Sequence, residues 1–189
     1  DLLAAPSTLD WFMVCPPGDF GPWAAGTFRD EYRVSDDVVL VDSEGKSAIS
    51  GADFGVAVVD EVRAKLEESS AAVLTEYRGL NVSATADLRR ALRDAGGEYK
   101  IYKNTLVRIA ARDLGLELDD LLTGPTAIAF VTGDAVGVAK ALQDFAKTNP
   151  ALVVKGGLLG DQVIDEAGVK ALADLEPREV LLAKFAGLL

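Results

Sequence analysis

The 189-residue sequence contains no histidine and a single cysteine, Cys15. Without histidine, the chain lacks both the commonest general base and the commonest zinc ligand. One cysteine forms no disulfide within the chain, which is compatible with a reducing compartment. Carboxylates and lysines remain available, but these absences favour a protein that is not an enzyme and that needs neither a metal ion nor a cofactor. No catalytic residue is predicted.

Long apolar runs are also missing, although apolar residues make up 49% of the chain. A transmembrane helix needs about 20 consecutive, mainly apolar residues. The sequence contains no such run, so no membrane-spanning segment is predicted. The apolar content is instead typical of a globular protein with a core of its own.

The net charge of −11 is unevenly distributed along the sequence. Residues 1–55 carry ten acidic and three basic side chains, a net charge of −7. Residues 78–112 carry eight basic and three acidic side chains, a net charge of +5. A local excess of basic side chains favours binding to a polyanion even when the whole chain is acidic.

The hydrophobic pattern divides the chain near residue 56. Residues 1–55 contain scattered prolines and glycines and no regular pattern, so they are predicted to form an irregular acidic lead. From residue 56 onward, apolar residues at helical spacing alternate with short apolar runs. This alternation predicts one α/β (α+β) domain over 56–189, a two-layer sandwich in which helices pack on a mixed sheet of about four strands. The predicted strands are 71–77, 99–103, 126–131 and 152–158. The predicted helices are 58–66, 83–95, 106–114, 136–149, 165–173 and one from 177 onward.

Two predicted helices within the basic segment 78–112 each carry two arginines on one face. Arg89 and Arg93 are four residues apart and therefore share a helix face. Arg108 and Arg112 have the same spacing on the next helix. Such clusters are more often ordinary charged faces than binding sites, but they make these helices candidates for contact with RNA phosphates.

Two further candidates follow predicted strands. Arg78-Gly79 follows the first strand, where a glycine lets the backbone approach a ligand closely. Lys103-Asn104-Thr105 lies where the second strand meets a helix, and unpaired N–H groups at a helix N-terminus favour phosphate. These five residues, with Arg89, Arg93 and Arg108, form the predicted RNA-binding set.

An alternative from another class is an α/β enzyme that uses carboxylates and the glycine-rich turn at 156–160. Lys155-Gly156-Gly157 lies in the last part of a predicted strand, yet it does not match the dinucleotide-binding fingerprint, and no helix opens directly after it. The carboxylate pairs are adjacent in sequence and therefore do not face each other. Both features favour a strand-ending bend and solvated surfaces over a catalytic site.

Residues 57–189 resemble the bacterial "L-ten" family of large-subunit ribosomal proteins, in the style of members from high-GC Gram-positive bacteria. The resemblance lies in the order and spacing of several colinear segments. They are 72–80 (AVLTEYRGL), 103–106 (KNTL), 124–127 (GPTA), 130–134 (FVTGD), 144–147 (DFAK), 154–157 (VKGG) and 172–182 (LADLEPREVLL).

The resemblance implies a cytoplasmic, ribosome-bound structural protein that binds large-subunit ribosomal RNA at the base of the stalk, beside the "L-eleven" protein. In the family, a long C-terminal helix carries dimers of the acidic stalk protein, which recruit translational GTPases. The family's RNA-facing segments correspond here to Arg78-Gly79 and Lys103-Asn104-Thr105. An RNA-binding paralogue that acts in ribosome assembly or message regulation is the alternative within this class.

The sequence departs from the family pattern at both ends. It stops at Leu189, near the start of the long helix, so most of the docking site for stalk dimers is expected to be missing here. Residues 51–55 carry no basic side chain where family members have a short basic segment. The acidic lead has no known counterpart, and we interpret it as a misassigned translation start or a fusion, with a lineage-specific extension as the alternative.

Overall fold

A computed structural model describes residues 49–175 together with Lys184, Ala186 and Gly187. The predictions for residues 1–48 and for the helix from 177 onward lie outside this part, except that the three isolated residues are helical. The described elements, in chain order, are α1 (Gly51–Glu68), β1 (Ala71–Glu76), α2 (Val82–Asp94), β2 (Gly97–Ile101), α3 (Asn104–Asp113), β3 (Ala127–Val131), α4 (Ala135–Thr148), β4 (Val153–Leu159), β5 (Gln162–Asp165) and α5 (Glu166–Ala173).

Helix α1 begins earlier than its apolar spacing predicts. The Ser50 hydroxyl accepts a hydrogen bond from the Asp53 backbone N–H at 3.0 Å and donates one to the Asp53 carboxylate at 2.7 Å. This arrangement satisfies one of the unpaired N–H groups of the first turn. The expectation of little stable structure before residue 56 is therefore wrong for 51–55. The chain divides into two units, Asp1–Val58 and Val59–Leu189.

The second unit is built on one sheet with the strand order β2-β3-β1-β4-β5. Every pairing between neighbours is antiparallel. Strands β1 and β2 run in the same direction with β3 between them, and β3 and β4 run in the same direction with β1 between them. The connections β1-α2-β2 and β3-α4-β4 are therefore two interleaved split β-α-β units.

Helices contact the sheet on both faces. Side chains alternate between faces along a strand, and Val73, Tyr99 and Ala129 share a core with residues of α2, α4 and α5. On the other face, Lys100 of β2 lies 3.7 Å from the Glu61 carboxylate of α1. The ring of Phe130 on β3 meets Tyr102 edge to face at 6.2 Å. All five residues of β3 are buried, as expected for a strand covered on both sides.

The predicted α/β sandwich is confirmed, and the sheet differs from the expectation in detail. It has five strands instead of about four, and its pairings are antiparallel instead of mixed. The fifth strand, Gln162–Asp165, is a four-residue edge strand whose side chains are mostly exposed. Such a strand has no apolar run, which explains why the hydrophobic pattern does not predict it. Helices also lie on both faces of the sheet instead of forming a single second layer.

Among the described residues, no helix is both long enough and apolar enough to cross a membrane.

Candidate nucleic-acid interface

Two predicted RNA-binding segments lie at the same end of the sheet. Thr75 near the end of β1 and Ile101 at the end of β2 both pair with Ala127, the first residue of β3. Glu76, the last residue of β1, pairs with Val153, the first residue of β4. The ends of β1 and β2 and the starts of β3 and β4 therefore meet. We call this end, with the loops that leave it, the strand-end face. It holds Arg78, Gly79, Lys103, Asn104 and Thr105.

The first segment is a tight turn that exposes an arginine. The Leu80 N–H donates to the Tyr77 carbonyl at 3.1 Å, which closes a β-turn over 77–80. Gly79 has a φ of +96°, a value that this turn position requires and that glycine adopts without steric cost. The turn leaves the Arg78 side chain 72% exposed, with its Nε 3.3 Å from the Glu76 carboxylate.

The second segment is the N-terminus of α3. Lys103 occupies the N-cap position with an extended backbone and makes no side-chain capping bond. Lys103 and Thr105 are exposed. A helix start without a side-chain cap leaves backbone N–H groups, with their partial positive charge, directed at the solvent. Lys103 adds a full positive charge at the same place.

Asn104 and Arg108 turn toward the protein. The Asn104 amide donates to the carbonyls of Leu122 and Gly124 at 3.2 and 2.8 Å. The Arg108 guanidinium donates to the Leu122 carbonyl at 2.6 Å and lies 3.1 Å from the Asp119 carboxylate. Both side chains therefore bind the loop that precedes β3, and the roles predicted for them as direct RNA contacts remain predictions.

Arg89 and Arg93 lie on helix α2 and not in the loops of the strand-end face. Both are exposed on α2, which begins at this face and runs away from it. Arg93 lies eleven residues beyond Val82, or about 16 Å along the helix axis at 1.5 Å per residue. The predicted basic set is thus divided in space, because helix α2 carries Arg93 away from the strand-end face although it is close to the other members in sequence.

Lys155 is a member of the site that the sequence-based set omits. The register of β4 against β1 shifts between Leu74 and Thr75, which pair with Gly156 and Val154. Lys155 is therefore the extra residue of a β-bulge, a feature that re-aims side chains. Its ammonium donates to the Thr123 carbonyl and to the Thr126 hydroxyl, the latter at 2.9 Å. Burial lowers the pKa of Lys155, while nearby Glu76 opposes the shift and Arg78 adds to it.

The glycine-rich segment considered for an enzyme is an interior part of the sheet. A Cβ atom at Gly156 would lie 2.6 Å from the Ile164 carbonyl oxygen, and one at Gly157 would lie 2.5 Å from the Ala72 carbonyl oxygen. These glycines are needed because neighbouring strands approach them closely. The part of the chain that the structure describes also contains no cluster of three or more histidine, cysteine, aspartate or glutamate residues able to hold a metal ion.

Comparison with known proteins identifies relatives of the described domain. The family model described as Ribosomal protein L10 matches residues 56–147. The chain is 62% identical over 130 residues to the large ribosomal subunit protein uL10 of Micrococcus luteus, covering 68% of this chain and 75% of the relative. It is 58% identical over 133 residues to uL10 of Cutibacterium acnes, covering 70% of this chain and 65% of the relative. It is 54% identical over 132 residues to uL10 of Streptomyces griseus, covering 69% of this chain and 71% of the relative.

Proposed function

Since the chain belongs to the ribosomal protein L10 family, we propose that its strand-end face binds ribosomal RNA of the large subunit. The family membership makes the chain a structural constituent of the ribosome rather than an enzyme. RNA binding at this particular face is the proposal, and it makes Arg78 and Lys103 the direct phosphate contacts.

One observation carries the proposal. The antiparallel sheet brings two segments that are 25 residues apart in sequence, Arg78-Gly79 and Lys103-Asn104-Thr105, to one end of the domain. The sequence indicates both segments as RNA-facing without reference to their proximity in the fold. The face carries exposed cations and an uncapped helix start, which are the groups that commonly contact phosphate oxygens.

The nature of these groups favours recognition of the RNA backbone. Arginine, lysine and backbone N–H groups bind phosphates, and such contacts position a protein without reading a base sequence. Glu76 beside Arg78 also limits the local positive charge. We therefore expect the face to fit one folded RNA surface rather than any RNA, because few contacts are available to compensate for a poor fit.

The same proposal assigns RNA binding to residues 56–189 and gives the acidic residues 1–55 no part in it. The further partners are those of the family as the resemblance describes it. They are the neighbouring "L-eleven" protein at the stalk base and the acidic stalk-protein dimers, which bind a C-terminal helix. The described part of the chain supports the RNA-binding role alone.

The proposal is tested by the salt dependence of binding to the stalk-base segment of large-subunit ribosomal RNA. If Arg78 and Lys103 are the contacting cations, the slope of log affinity against log salt is expected to be about −1.4 to −1.8. Arg78→Ala and Lys103→Ala should each weaken binding and each make the slope shallower by about one.

Two matched variants serve as controls. Lys140→Ala removes one charge from the exposed side of α4, and Arg93→Ala removes one from the far end of α2. Neither is expected to change the slope appreciably. If Arg93→Ala weakens binding as much as Arg78→Ala does, the interface lies on α2 and the assignment to the strand-end face is wrong.

A further inference from the structure

The loop 122–126, which leads into β3 at the strand-end face, is held by side chains of two elements, α3 and β4. Three consecutive carbonyl groups accept hydrogen bonds. The Leu122 carbonyl accepts from Asn104 and Arg108 of α3. The Thr123 carbonyl accepts from Lys155 of β4, and the Gly124 carbonyl accepts from Asn104 at 2.8 Å. A short loop that receives this many side-chain donors has its peptide planes closely fixed.

The orientation of those peptide planes determines where their N–H groups point. In a trans peptide the C=O and the following N–H point in opposite directions, and the described part of the chain has no cis peptide. Because the carbonyls of Leu122 and Thr123 face their donors, the N–H groups of Thr123 and Gly124 point away from them. Thr123 and Gly124 are both exposed. Within the described residues, neither N–H donates to a protein acceptor.

A cationic side chain lies beside these two N–H groups. A Cβ atom placed on Gly124 would lie 3.7 Å from a terminal nitrogen of Arg78, so the guanidinium borders the loop. The same guanidinium contacts Glu76 through its Nε, which leaves the terminal nitrogens on the loop side. Gly124 has a φ of +62°, a backbone conformation that helps consecutive N–H groups form an anion-binding concavity.

We propose that the Thr123 and Gly124 N–H groups and the Arg78 guanidinium together form a binding site for one phosphate group of an RNA backbone. The ligand is a non-bridging phosphate oxygen, which accepts from two backbone donors and one charged donor. This inference rests on the proposed function and adds a specific site to it.

Asn104, Arg108 and Lys155 are positioning residues for this site. They hold the loop carbonyls and thereby fix the direction of the N–H groups, and they need not touch RNA themselves. The β-bulge at Lys155 has a role in this arrangement because it directs the lysine at the loop.

Amide NMR of the ¹⁵N-labelled full chain tests the site directly. One titration uses inorganic phosphate, compared with chloride at equal ionic strength, and the other uses the stalk-base ribosomal RNA segment. In both titrations, we expect the amide protons of Thr123 and Gly124 to move downfield and to saturate, as N–H groups do when they donate to an anion. Arg78→Ala should weaken the phosphate response by about tenfold, which corresponds to the loss of one charge-assisted hydrogen bond.

Variants of Lys155 test whether its side chain positions the loop. Lys155→Met removes the donor to the loop, and Lys155→Arg keeps both a donor and the charge. We expect Lys155→Met to diminish the response of the two amides and Lys155→Arg to retain most of it. Lys140→Met, which removes a charge elsewhere, should leave the response intact. Equal responses in Lys155→Met and Lys140→Met would exclude the positioning role.

The outcomes distinguish this site from the proposed function. If RNA shifts other amides of the strand-end face but not those of Thr123 and Gly124, the phosphate site is wrong while RNA binding stands. If phosphate shifts both amides and RNA does not bind, the anion site stands, but its assignment to RNA and the proposed function are both wrong. If neither ligand moves the two amides, the inference is overturned.

Discussion

Two tyrosines near β2 should respond in opposite ways to the same chemical change, the loss of a hydroxyl. The Tyr99 hydroxyl lies 2.8 Å from the Thr75 hydroxyl, and both side chains are buried. The Tyr102 hydroxyl is also buried, but it has no hydrogen-bond partner among the residues that the structure describes. Replacement by phenylalanine keeps each ring in place, including the edge contact of Tyr102 with Phe130.

The magnitudes follow from what each substitution leaves behind. Tyr99→Phe leaves the Thr75 hydroxyl buried without its partner, which typically costs about 1–3 kcal/mol of unfolding free energy. Tyr102→Phe removes a hydroxyl whose burial is not compensated, so it should be neutral or stabilising by up to about 2 kcal/mol. Combining Tyr99→Phe with Thr75→Val should cost less than the sum of the two single changes, because the double variant leaves no unpaired hydroxyl.

The assay is equilibrium denaturation in urea followed by circular dichroism. Comparable losses of unfolding free energy for Tyr99→Phe and Tyr102→Phe would refute the reasoning, since it depends on one hydroxyl being paired and the other not. The pH dependence of the unfolding free energy provides a second readout. Burial raises the pKa of both phenols, for Tyr102 with the added negative charges of Glu61 and Glu98. The stability that depends on the two phenols being protonated is therefore fully present below about pH 10. It is lost as the pH rises toward their pKa values in the folded protein.

Three further predictions concern the stability of the domain, all measured by the same denaturation assay. Leu92→Ala should lower the unfolding free energy by roughly 2–5 kcal/mol, because the Leu92 side chain on α2 is fully buried and its truncation leaves a cavity. A loss under about 1 kcal/mol would contradict this. Gly157→Ala should lower the unfolding free energy by about 1–3 kcal/mol, since the added Cβ would lie 2.5 Å from a backbone oxygen of β1. An unchanged denaturation midpoint would show that β1 and β4 separate easily at this position. Burial raises the pKa of Glu98, but hydrogen bonds and charges from Lys65 and Lys100 outweigh it and lower the pKa. The stability lost in Glu98→Gln should therefore be under about 1 kcal/mol at neutral pH for this half-exposed group and should disappear as the pH falls below about 4; a difference that grows in acid would contradict the sign.

The sequence predicts the helices and strands of the domain well where a buried face requires apolar residues at regular spacing. Helix α2 is an example, since Leu88 and Leu92 are four residues apart, which predicts one helix face, and both are fully buried. The predicted start at residue 83 is one residue late, because the Asn81 side chain caps the helix by accepting from the Ala84 N–H at 2.7 Å. Asparagine and serine are comparable capping residues, so the pattern alone does not decide between Asn81 and Ser83.

The candidate site shows what spacing along a chain does not determine. Arg78 and Lys103 are far apart in sequence and share the strand-end face only because β3 pairs with both β1 and β2. Arg93 is nearer to Lys103 in sequence but lies at the other end of α2. Lys155 belongs to the face because of a bulge, and a single extra residue in one strand leaves no periodic signal. Strand order and bulges depend on contacts between distant segments. The spacing of apolar residues along the chain carries no information about such contacts.

Incorporation into ribosomes tests the central claim most directly. A tagged full chain would be produced in a bacterial host, and its fraction in large ribosomal subunits would be measured by sedimentation. We predict that the wild-type chain and the control Lys140→Glu sediment with the subunits, while the doubly reversed variant Arg78→Glu/Lys103→Glu stays in the unbound fraction with its folded spectrum intact. Equal incorporation of all three chains would contradict the claim that the strand-end face holds the protein on ribosomal RNA.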